Sequence, residues 1–132
     1  MIGQARSQST EGGRQQVVDT RESAGPSGRT YAAPFAGVWD LLENAIQGRR
    51  SWTLVHSDEE RGLFTVVCRN LIPPATDDLS IWVRLDEFGL TRVDIRSSAR
   101  SSRHDFGANE RRVALILRTL DQGLGPGNRI RR

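Results

Sequence analysis

The sequence predicts an α+β two-layer sandwich: an antiparallel four- to five-stranded sheet with an N-terminal and a C-terminal helix packed on one face. Three observations carry this expectation. Stretches between Trp52 and Ser97 alternate apolar and polar side chains with the period of two that a half-buried strand needs. The segments joining most of them are turn-sized, which favours hairpins between antiparallel neighbours. Apolar residues at helical spacing stand on either side, around Val38 and around Val113. Helix, strands joined by hairpins, helix is an order that sets both helices on one side of a single twisted sheet.

The 132 residues suit one domain, and 36% of them are apolar. Residues 1–30 are rich in Gly, Ser, Gln and Arg around the apolar pair Val17 and Val18. That composition buries too little surface to offset ordering entropy, so 1–30 reads as a disordered polar tail. The folded domain is expected over 31–122, with 123–132 a flexible basic tail.

The first helix is expected over 36–47. Pro34 precedes it, Val38, Leu41, Leu42, Ala45 and Ile46 form its stripe, and Gly48 stops it. Trp39 stands beside the stripe and is expected at its edge. A strand over 52–57 ends in the charged turn from Asp58 to Gly62. The next, over 63–69, puts Phe64, Val66 and Cys68 on one face. Pro73 and Pro74 argue against regular pairing before Asp78. The third strand, 79–85, alternates Leu79, Ile81, Val83 and Leu85 with Ser80, Trp82 and Arg84. A turn at 86–89 leads to 91–97, with Val93 and Ile95 inward and Arg92, Asp94 and Arg96 outward. A short strand over 30–33 would make five. In the last helix Val113, Ile116, Leu117 and Leu120 form the stripe, and Gly123, Gly125, Pro126 and Gly127 end it.

No run approaches the ~18 apolar residues of a membrane span. The first residues lack the apolar block of a secretory signal, so a soluble, cytoplasmic protein is expected. Cys68 is the one cysteine, which excludes an internal disulfide, and His56 and His104 are the only histidines. No metal or cofactor is expected from that inventory. All nineteen basic residues are arginine. Over 31–94 six arginines meet ten acids, and over 95–132 nine meet three, so charge is polarised along the chain.

Asp77 to Ile81, Arg84, the run from Thr91 to Ser97, Arg100, the run from Asp105 to Asn109, and Arg112 together resemble the domain of unknown function 1499 family. The similarity covers about residues 31–120. Its most specific part is the Arg-Ser-x-x-Arg-x-x-x-x-Asp-x-Gly-x-Asn pattern from Arg96 to Asn109. The chain departs from it at Ala99 and Ser102, where family members usually carry Ser and Gly. The resemblance implies the fold and marks a site, and it implies no reaction. Separately, the stretch 33–46 looks like the lead helix of START-type helix-grip domains, which enclose apolar ligands; the expected strands are too few for that curved sheet.

Arg96, Ser97, Arg100, Arg103, His104, Asp105, Gly107, Asn109 and Arg112 are the candidate site at the last strand–helix junction. As an anion pocket, its arginines would converge with serine hydroxyls and the free N–H groups of the helix start. As an internal clamp, Asp105 caps the helix, Gly107 takes an unusual backbone angle, Asn109 ties the loop, and arginines pair with Asp77, Asp78 or Asp105. The clamp explains Asp105 and Asn109 without a ligand. An enzyme or carrier with a pocket near His104 is the alternative; adjacent His104 and Asp105 are poorly arranged for a triad. A second candidate is the sheet face away from the helices, where Trp82, Arg84 and Arg92 would meet a partner. The partner expected is an anionic small molecule, a protein, or a second copy of the chain through that face. A net charge of +3 argues against nucleic acid.

Overall fold

The computed structural model describes residues 17–22, 26–71, 74–101 and 107–130. Strands β1 (Val17–Asp19) and β2 (Arg29–Tyr31) precede helix α1 (Phe35–Gln47). Then come β3 (Trp52–Asp58), β4 (Leu63–Leu71), β5 (Pro74–Leu85) and β6 (Thr91–Ala99). Helix α2 (Ala108–Leu124), a 3-10 turn (Pro126–Asn128) and β7 (Arg129–Ile130) close the chain. The architecture is α+β, with two helices and one antiparallel sheet in the order β3-β4-β5-β6-β2-β7; β1 pairs with β6 beside β2.

The sheet is larger than the four to five strands expected, with seven among the described residues. The first helix follows two strands and does not lead the chain. Part of the stretch expected to be a disordered tail is sheet: Val17, Val18 and Asp19 pair with Ser98, Ser97 and Arg96. Averaging composition over thirty residues hid this. An added edge strand needs only one buried apolar side chain, here Val18, plus backbone hydrogen bonds to a strand already in place. At the other end, Arg129 and Ile130, expected in a flexible basic tail, pair with Tyr31 and Thr30.

β5 is also longer than expected. It pairs with β4 from Pro74 opposite Leu71, and Ala75 and Thr76 face Asn70 and Arg69. Proline is compatible with a sheet at the first residue of a strand, where its missing N–H costs no internal ladder bond.

The register puts Phe64, Val66, Leu79, Ile81, Val83, Val93 and Ile95 on one face, all buried. α1 covers that face with Val38, Trp39, Leu42 and Ile46, and α2 with Val113, Ile116, Leu117 and Leu120. Trp39 belongs to this core and not to its edge, with its ring stacked 3.9 Å from that of Phe64 and 5.6 Å from that of Phe35. The layers meet closely: a cavity between α1, α2 and β5 measures about 10 Å³, at the lower limit for a single water.

Gly62 sets the β3–β4 turn at φ 67°, and a Cβ there would run into the backbone of Val83, whose N–H donates to Gly62 O at 2.8 Å. Edge strand β3 shifts register between Leu54 and His56, a bulge that blunts the edge against pairing with another sheet.

Candidate functional site

The strand period of two divides the junction motif. On β6, Ser97 lies opposite Leu79 on the helix-covered face, and Arg96 lies opposite Ser80 on the other. Arg96 and Arg112 therefore do not converge. Arg96 reaches Asp19 at 3.8 Å and donates to the Ser98 hydroxyl at 3.3 Å. Arg112, on the first turns of α2, is buried under the helix.

There Arg112 Nη1 donates to Asp77 Oδ2 at 2.9 Å, Asn109 Oδ1 at 2.8 Å and Ser97 Oγ at 3.0 Å. The Ser97 hydroxyl in turn donates to Asn109 Oδ1 at 2.5 Å. This network links β5, β6 and α2 through four buried side chains. Burial makes it demanding, since each group left unpaired would keep its desolvation cost. Beside it, Cys68 faces Asp77 across the strands, and burial pushes its thiol up to about 11.

Arg100 lies outside the network, on the surface. Its guanidinium grips Asp78 through Nε at 3.0 Å and Nη2 at 2.9 Å, which raises its affinity for its proton. Gly107 occupies the N-cap of α2 at φ 79°, the left-handed angle that glycine tolerates best, and among the described residues no side chain caps the helix there. Asp105, Arg103 and His104 lie outside the described residues. His56 is exposed on β3, next to the bulge. Among the described residues no group of three His, Cys, Asp or Glu side chains could hold a metal ion.

The opposite sheet face gathers the second set. Trp82, Arg84 and Arg92 line one open groove of about 630 Å³ with Arg21, Asp94, Glu87 and Phe88. Arg84 and Arg92 are direct cross-strand partners, as are Trp82 and Asp94. Arg92 is held by Asp94 through Nε at 3.1 Å and Nη2 at 3.2 Å. Among the described residues the Arg84 side chain has neither hydrogen bond nor ion pair, and it is exposed. Two like charges directly opposite on a sheet repel, so this pair is a cost to the fold unless something answers it.

Residues 19–22 build one wall of the groove. The Thr20 hydroxyl donates to Asp94 Oδ1 at 2.7 Å and accepts from Ile95 N at 2.9 Å. Arg21 then lies over the Trp82 ring, 3.8 Å from its centroid, a cation–π contact. Asp19 steers Arg21 there by accepting from its Nε at 2.9 Å and Nη2 at 2.7 Å. That hydrogen bonding holds the Asp19 carboxyl below its ordinary range, overcoming the upward push of burial. The face is thus partly covered, and its Trp is already stacked. Sequence reasoning found Trp82, Arg84 and Arg92 and missed Arg21, which sits in the supposed tail. The usable signal was the Val17–Val18 pair leading into Asp19-Thr20-Arg21.

The family described as Protein of unknown function (DUF1499) matches residues 6–120. That match begins well before residue 31, where the folded domain was expected to start. The crystal structure of TTHA0849 from Thermus thermophilus is similar to this chain at 16% identity, over 82% of this chain and 93% of that one, with a TM-score of 0.35. Among curated proteins none matches.

Proposed function

We propose that this chain, which belongs to the DUF1499 family of proteins of unknown function, is a non-catalytic binding and interaction module whose contact surface is the open sheet face. It receives an acidic group of its partner on Arg84, beside Arg92 and Trp82. The observation that carries this reading is the Arg84–Arg92 cross-strand pair, with Arg84 unanswered among the described residues in a groove of about 630 Å³. A carboxylate or phosphate there relieves the repulsion and gains a charge-assisted hydrogen bond.

The junction supports an internal role better than an anion pocket. Arg112 is committed to Asp77, Ser97 and Asn109, Arg100 to Asp78, and Arg96 faces the other way. A carrier pocket between sheet and helices draws no support from the filled layer around Leu42, Ile81 and Ile116.

The test is an NMR titration of dilute, labelled protein with a short dicarboxylate and, separately, inorganic phosphate, at low salt. The indole N–H of Trp82 is expected to move saturably with at least one of them, while those of Trp39 and Trp52 stay still. Arg84→Glu should abolish the movement. An unmoved Trp82, or a response that survives Arg84→Glu, overturns the reading.

A further inference from the structure

The groove carries both signs of charge and one protruding ring. Arg21, Arg84 and Arg92 line it together with Asp86, Glu87 and Asp94, so its formal charge is balanced. A balanced groove is a weak funnel for a free anion. What remains after internal pairing is more specific. Arg92 is held by Asp94 and Arg21 by Asp19, whereas Arg84 and Glu87, one of each sign, are exposed with no partner among the described residues.

Phe88 lines the same groove and is 70% exposed. The turn that carries it is tied down. Asp86 Oδ1 accepts from Phe88 N at 2.8 Å and Leu90 N at 2.9 Å, and Gly89 supplies the positive φ of 77°. A ring presented on a rigid turn loses little freedom when it docks, which favours its use as an anchor.

We infer that the partner on this face is a second copy of the same chain, docked about a two-fold axis with Phe88 of each copy in the groove of the other and Arg84 paired with Glu87 of its partner. A two-fold interface must be complementary to itself: each feature a copy presents, it must also receive. Here a knob and a cavity, an unpaired cation and an unpaired anion, occur together on one surface. The inference rests on the reading of the open face given above and names its partner.

Sedimentation velocity across micromolar to near-millimolar concentration tests it, using the full chain at low salt. The wild type is expected to reach a dimer, and Phe88→Ala to remain monomeric with an unchanged far-UV spectrum. Arg84→Glu and Glu87→Arg should each be monomeric alone, because each confronts like charges across the axis. Mixed in equal amounts they should form a one-to-one dimer, because the exchanged charges again face their opposites. A monomeric wild type, or a dimer indifferent to Phe88→Ala and to both charge reversals, overturns the proposal. A monomeric protein whose Trp82 still answers the dicarboxylate overturns the second copy alone. An unresponsive Trp82 removes the acidic-group reading on which the pairing rests.

Discussion

Arg112 donates to Oδ2 of Asp77 at 2.9 Å, and both side chains are buried between α2 and the sheet. The pair ties the start of the last helix to β5, thirty-five residues earlier in the chain. Ser97 and Asn109 share the same guanidinium nitrogen.

Removing one partner of such a pair leaves a buried charge unanswered. Arg112→Ala is expected to lower unfolding stability by about 3–5 kcal/mol. The double variant Arg112→Met, Asp77→Leu should lose less than Arg112→Ala alone, because it leaves no orphan. Urea unfolding of the single and double variants checks both statements.

Thr20 holds the segment that bears Arg21. Thr20→Val keeps the shape and removes the hydroxyl that donates to Asp94 and accepts from Ile95 N. The expected loss is about 1–3 kcal/mol, the cost of leaving buried polar groups unpaired. Gly28→Ala should damage the same place from the other side, because its Cβ would overlap the Asp94 carboxylate and the backbone of Val93. Hydrogen exchange at Ile95 N–H reports the opening in both variants.

Asp19 makes the wall of the groove sensitive to acid. Its carboxyl is held below the ordinary range by the hydrogen bond from Arg21, with burial opposing. A depressed folded value means that the stabilisation is present above the unfolded carboxyl value of about 3.9 and is lost as pH falls through the folded one. Stability should decline over that acid window, and Arg21 should leave the Trp82 ring as it does. Asp19→Asn should flatten this part of the stability profile and alter the Trp82 fluorescence at neutral pH.

Cys68 gives the opposite sign. Burial raises its thiol to about 11, so the folded chain keeps a proton that the unfolded chain gives up near about 8.5. Its contribution is present below the unfolded value and is lost as pH rises through about 11. A thiol-specific reagent at about pH 8 should label the native protein slowly and the urea-unfolded protein at once; rapid labelling of the native state contradicts a buried thiol.

The sequence alone determined the two-layer α+β plan, both helices and the four central strands. Each of these is a local pattern: a period of two or of 3.6, with stops such as Gly48 and Gly89, is written in adjacent residues. The same period foretold that Trp82, Arg84 and Arg92 share a face. Family kinship was legible too, because the run from Arg96 to Asn109 is long and ordered.

Other features depended on partners far away in sequence. The three-residue strand Val17–Asp19 has no stability of its own and exists because β6 offers it an edge. Trp39 is buried because Phe64 meets it, which no helical wheel reveals. Adjacent Arg96 and Ser97 act on opposite sides of the sheet, and Arg112 finds Asp77 only once α2 lies across β5. Local periodicity ranks neighbours along the chain; charge pairing and edge addition are settled by closeness in space. For that reason the tertiary structure, and not the motif, separated the buried Arg112 network from the open groove around Arg84.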